Sequence, residues 1–212
     1  FLLTMAVVIP LTGYLLARFT VRQVFLAAMV LFSIGTLIAA LSPGFGMLLV
    51  GRIVQASGTA IMMPLLMTTV LTIVAPERRG RMIGVISIVI AVAPAIGPTV
   101  SGLILSALDW RWMFWIVLPI ALIALVLGAL WVRNVTETRE ARFDVLSVVL
   151  SALGFGGLIF GLSSIGESAS GHAAVPVWIP IVVGAASLAA FVARQLQLQK
   201  SDAALLDLRV FR

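Results

Sequence analysis

The sequence contains no cysteine and only one histidine, His172. Disulfides and thiolate metal sites are therefore excluded, no metal site is expected, and the redox compartment leaves no trace in the residues. Charge is almost as scarce. Only 10% of the 212 residues are Asp, Glu, Lys or Arg, against about a quarter in an ordinary soluble domain. With 62% hydrophobic residues and a mean hydropathy of +1.21, this inventory cannot cover a water-facing surface. A phosphate-binding loop, a nucleophile triad and a dinucleotide fingerprint are also missing. The residues thus give no support to ATP-driven pumping or covalent catalysis, and neither an enzyme nor a cofactor is expected.

What the chain does have is long uncharged runs. They cover residues 1–17, 23–51, 53–76, 82–108, 112–132, 145–166 and 168–193. Each reaches the length needed to cross a hydrocarbon core of about 30 Å, which takes about 20 helical residues. Transmembrane β-strands would instead alternate apolar and polar residues over segments of about ten, a pattern absent from these Leu, Ile, Val, Ala and Met runs. Helices are then the remaining way to satisfy a backbone in lipid. The fold class expected is all-α, a polytopic bundle of about seven transmembrane helices. A short uncharged turn at 42–46 predicts an antiparallel hairpin of the second and third helices. The longer charged stretch 133–144 is the expected linker between five helices within 1–132 and two more within 145–198, with 199–212 as a cytoplasmic tail. Phe1 already lies in an apolar run with no initiator Met, so the N-terminus is expected to be a cut one.

The net charge of +6 raises the question of nucleic acid, but the basic residues are dispersed through short loops instead of gathered on one face. Their alternation says more. Arg18 and Arg22, Arg78, Arg79 and Arg81, Arg133, Arg139 and Arg142, then Arg194, Lys200, Arg209 and Arg212 fall in one set of loops. The opposite set holds only Arg111. By the positive-inside rule the first set is cytoplasmic, in a cell or inner membrane, and Phe1 starts on the outer side. Trp110, Trp112, Trp115, Trp131 and Trp178 lie near span ends, where indoles act as interfacial anchors. His172 reads as a solvated residue of an outer loop.

Arg52 is the remaining basic residue and lies within an apolar run. A guanidinium there costs at least about 2.5 kcal/mol by insertion scales. Two placements satisfy it: snorkelling to an interface, since the outer turn is close in sequence, or facing a polar cavity or partner. Gln55, Ala56, Gly58, Thr59 and Ala60 follow at helical spacing, with Gln55 beside the arginine and the small residues allowing another helix close approach. In the span 82–108, Ala93, Gly97 and Ser101 are small residues four apart, Gly84 and Gly102 share a face, and Pro94 and Pro98 interrupt the ridge. This ridge is expected to pack closely and to keep Arg52 from lipid. Met62, Met63 and Met67 offer either an adaptable substrate lining or ordinary helix packing. Gly157 and Gly161 mark a close contact between helices.

Three of these patterns together resemble the fourteen-helix drug and proton antiporters of the major facilitator superfamily. Gly84, Ala93, Gly97, Pro98, Ser101 and Gly102 resemble the antiporter motif of the family's fifth helix. Leu48, Arg52 and the run Gln55 to Ala60 are similar to its fourth-helix motif, and Trp110 to Phe114 ending at Pro119 to its fifth-to-sixth helix junction. Gly13, Arg18 and Arg22 resemble the loop signature between helices two and three, although Ala17 stands where that signature has aspartate and Thr20 where it has its second glycine. The resemblance implies helices two to eight of a larger transporter, with the first helix and the C-terminal half missing. It further implies proton-coupled efflux of amphipathic drugs, with Arg52 and Gln55 in proton coupling, Gly13, Arg18 and Arg22 at the cytoplasmic gate, and protons, small molecules and the bilayer as partners. The alternatives are a specific-metabolite transporter of the same superfamily and a membrane scaffold that transports nothing.

Overall fold

The computed structural model describes residues 1–132, 134, 144–169 and 176–199; the side chains of 166–169 are not described. Among the described residues seven α-helices follow in order: α1 (Leu2–Arg18), α2 (Val21–Ala40), α3 (Phe45–Ile73), α4 (Pro76–Ala107), α5 (Arg111–Trp131), α6 (Val145–Ala169) and α7 (Trp178–Leu198). No strand occurs among the described residues. The bundle is the all-helical one that the uncharged runs require, and six helices are long and apolar enough to cross a membrane; α1, at 17 residues, is shorter. Large apolar side chains stand exposed along the helices, Leu103 at 67% and Leu130 at 72% among them. That surface suits acyl chains, not water.

The chain divides into two compact units, one formed by 20–137 and the other by 1–19 with 138–212. Most of the expected linker 133–144, the segment 199–212 after its first residue, and His172 lie outside the described residues.

In the first unit α2 packs against both α3 and α5. Helix α2 begins at Thr20, whose hydroxyl accepts from the Gln23 backbone N–H while the Gln23 side chain accepts from the Thr20 N–H, a reciprocal cap. The threonine found in place of a glycine therefore starts this helix. The hairpin turn runs from Leu41 to Gly44, and Ser42 closes it by donating to the Ala39 carbonyl at 2.8 Å. Glycine sets the spacing of α2 and α3. A Cβ on Gly51 would lie 2.7 Å from the Ala39 nitrogen, and one on Gly35 or Gly58 would run into the facing backbone at Gln55 or Ala28. Two backbones this close leave room for hydrogen bonds between short side chains.

In the second unit α6 packs against α1 and α7. Its contact with α7 is again glycine on glycine: a Cβ on Gly157 would lie 3.0 Å from the Gly184 Cα, and one on Gly184 would lie 2.7 Å from the Leu158 nitrogen. This is the close helix contact that the Gly157 and Gly161 spacing predicts.

Candidate functional site

Arg52 and Gln55 are one helical turn apart on α3, so their side chains meet: Arg52 Nη1 donates to Gln55 Oε1 at 2.6 Å. Gln55 is only 4% exposed, and its Nε2 donates across the glycine-lined gap to Thr36 Oγ1 on α2 at 2.9 Å. Thr36, fully buried, donates in turn to the Phe32 carbonyl at 2.7 Å. The guanidinium carbon also sits 5.9 Å from the centroid of the Phe114 ring on α5. A positive charge inside an apolar helix is thus met by an amide dipole on one side and an aromatic face on the other. Arg52 is half-buried. Its two described partners, Gln55 and Phe114, both belong to the first unit.

Ser33 lies one turn before Thr36 on α2 and is 6% exposed, and its hydroxyl has no hydrogen-bond partner among the described residues. An unsatisfied buried hydroxyl costs about 1–3 kcal/mol. Ser33→Ala is therefore expected to leave the melting temperature of the purified protein unchanged or to raise it. A clear drop would mean that this hydroxyl has a partner.

The ends of the first unit are tied by arginines. Arg22 Nη2 donates to the Ala129 carbonyl at 2.7 Å, joining the start of α2 to the end of α5. At the opposite end Arg111 donates through Nε to the Ser42 carbonyl at 2.9 Å, pairs with Asp109 at 2.6 Å, and lies 4.6 Å from the Trp110 ring centroid. Arg79 donates to the Leu71 and Val74 carbonyls, satisfying the C-terminal end of α3.

In the second unit Arg194 of α7 forks onto both carboxylate oxygens of Asp144, just before α6, at 2.7 and 2.9 Å. Ser147 donates to the same carboxylate at 2.6 Å, and Gln195 Nε2 donates to Ser147 Oγ at 2.8 Å. The Arg194 guanidinium holds the Asp144 carboxyl at about 2, below its usual 3.8; Ser147 acts in the same direction and partial burial opposes both. A carboxyl depressed on folding stabilises the fold above about pH 4, and that contribution disappears as pH falls through about 2. Asp144→Asn is expected to lower the melting temperature at pH 7, with the gap to wild type closing as pH drops from about 4 towards 2. A gap that stays constant with pH would contradict the pairing.

The α4 residues singled out by sequence are not among the partners described for Arg52. Gly84, Ala93, Gly97, Pro98, Ser101 and Gly102 are all on α4, which has no buried residue. A Cβ on Gly84, Gly97 or Gly102 would meet nothing within 4 Å. The expectation of a close-packed ridge shielding Arg52 is therefore not how these residues stand: the partners described for Arg52 are Gln55 and Phe114, and the close backbone approach is made by α2. Gly13 and Arg18 lie on α1 in one unit and Arg22 on α2 in the other. Met62 and Met67 are half-buried on α3, and Met63 is 40% exposed.

Two partners of the site escaped sequence reasoning. Thr36 is 19 positions from Gln55 and carries no motif; its one signal was a hydroxyl beside Gly35 in an apolar helix. Phe114 was visible only as part of the Trp110 to Phe114 junction.

Comparison with known proteins gives a consistent picture. The sequence profile of the Major Facilitator Superfamily matches residues 1–202. The chain is 49% identical over 212 residues to a lincomycin resistance protein, LmrB, of Listeria monocytogenes, and 44% identical over 212 residues to LmrB of Bacillus subtilis. It is 32% identical over 215 residues to a multidrug resistance protein B homolog of Mycobacterium tuberculosis. In each case all of this chain is covered. It spans 44% of the length of either LmrB and 39% of the mycobacterial protein.

Proposed function

The chain belongs to the major facilitator superfamily of membrane transporters, and from that premise we propose that the protein exports amphipathic, often cationic compounds in exchange for protons. The observation that carries this reading is the Arg52 site. A charge within an apolar helix is expensive, and one bonded to a buried amide and facing an aromatic ring has the character of a functional group, not an accident of the surface. The names of its relatives, lincomycin resistance and multidrug resistance, lend support to export of toxic compounds.

In this reading Arg52 is the fixed charge of the coupling site and Gln55 its polar neighbour. Protonation of a carboxylate elsewhere in the protein responds to the guanidinium. None of Glu77, Asp109, Asp144 or Glu167 lies in the middle of a helix, so the exchanging carboxylate belongs to parts of the protein other than these. Met62, Met63 and Met67 line the substrate route. The α4 ridge, from Gly84 to Gly102, offers a face with open space for the backbone of another helix, and Arg18 and Arg22 act at a cytoplasmic gate. The basic ends of the helices face the cytoplasm, so the protein starts this segment on the outer side. Helices α2 to α5 form part of one bundle, while α1 packs against α6, and 133–144 is a cytoplasmic linker.

The test uses the full-length gene in a host lacking its own drug exporters. Cells energised with glucose are expected to extrude preloaded ethidium and to stop when an uncoupler collapses the proton gradient. Accumulation of the dye, or extrusion indifferent to the uncoupler, would overturn the proposal.

A further inference from the structure

Arginine has only donors, so the group of Gln55 that meets Arg52 must be its oxygen. The amide nitrogen is then turned to Thr36, which must accept from it. Thr36 can do so without conflict because its own hydrogen is committed to the Phe32 carbonyl one turn back on α2. Every donor and acceptor in this line therefore has one direction, fixed at one end by a guanidinium that cannot accept and at the other by a carbonyl that cannot donate. Without the Thr36 oxygen, the buried amide would lose the acceptor for its nitrogen, and its plane would be held from the Arg52 end alone.

We propose that Thr36 is a positioning residue for the Arg52 site: its hydroxyl, reaching across the α2–α3 contact, fixes the orientation of the Gln55 amide so that the oxygen faces the guanidinium. This assignment rests on the reading that Arg52 acts in proton coupling. It adds α2 to a site otherwise carried by α3 and Phe114 of α5, and makes the spacing of α2 and α3 part of the site.

The experiment uses the full-length transporter in proteoliposomes, with a pH gradient driving ethidium transport. Thr36→Val, which replaces the hydroxyl by a methyl of similar size, is expected to reduce the maximal rate about tenfold while the KM for ethidium stays within about twofold of wild type. Thr36→Ser, which keeps the hydroxyl, is expected to restore the rate. Because Thr36 acts through Gln55, Thr36→Val combined with Gln55→Leu is expected to be no slower than Gln55→Leu alone. Ser33→Ala, one turn away, serves as the control and is expected to transport as wild type does. Should Thr36→Val fail to accumulate, Thr36→Ala takes its place under the same criteria. A wild-type rate in the hydroxyl-less variant, a serine variant as slow as the valine one, or fully additive losses in the double variant would overturn the role of Thr36. Failure of the underlying reading looks different: Arg52→Ala would then retain gradient-driven transport whatever the Thr36 variants do.

Discussion

Arg52→Lys in the full-length transporter is expected to be almost as damaging as Arg52→Ala, with gradient-driven ethidium extrusion falling by at least about tenfold in both. Charge alone does not explain the site. A planar guanidinium reaches the Gln55 oxygen at 2.6 Å with one nitrogen while its central carbon lies 5.9 Å from the Phe114 ring centroid. An ammonium on a four-carbon stem is a point charge that cannot keep both contacts, and it can shed its proton when the surroundings are apolar. A guanidinium stays protonated, as a fixed charge facing an exchanging carboxylate should. Downhill efflux of preloaded dye without a pH gradient separates coupling from binding: it is expected to persist in both variants. If Arg52→Lys extruded dye against a gradient at the wild-type rate, positive charge would be sufficient and the geometry described here irrelevant to transport.

The sequence was most legible where a property of single residues decides the outcome. Uncharged runs set the helices because lipid leaves the backbone no other choice, and the short turn after α2 left only a hairpin. The Arg52–Gln55 bond was also readable, since three positions along a helix make neighbours. Gly58 announced a close approach, although the partner it meets on α2 was not identifiable from composition. Contacts between helices were where sequence reading stopped. Thr36 gains its role only through α2 lying against α3, and Asp144 and Arg194 are 50 positions apart, so neither spacing nor composition joined them. The α4 ridge shows the opposite error. Small residues four apart permit a close contact without specifying which helix fills it, so expecting that ridge at Arg52 went beyond what periodicity can say.

Gly35→Ala is the change expected to harm the fold most. On propensity alone it should help, since alanine is favoured over glycine inside a helix by about 1 kcal/mol. Space argues the other way. The added Cβ would collide with the Gln55 backbone nitrogen and lie 2.6 Å from its Cα and 2.7 Å from the Gly51 carbonyl oxygen. These are atoms of a helix backbone, which cannot swing aside as a long side chain can. Relief requires α3 to withdraw from α2, losing the packing on either side, and overpacking of this kind costs about 1–3 kcal/mol or more. The same withdrawal stretches the Gln55–Thr36 bond, so the substitution should impair transport as well as stability. Gly44→Ala provides the contrast, because its Cβ would meet nothing within 4 Å and its φ of −164° is an extended conformation open to any residue. The expected result is a melting temperature in detergent well below wild type for Gly35→Ala and close to wild type for Gly44→Ala. A Gly35→Ala protein that melts at or above the wild-type temperature would mean that α2 and α3 are not in backbone contact at Gly35. The line from Arg52 through Gln55 to Thr36 would then lose its physical basis.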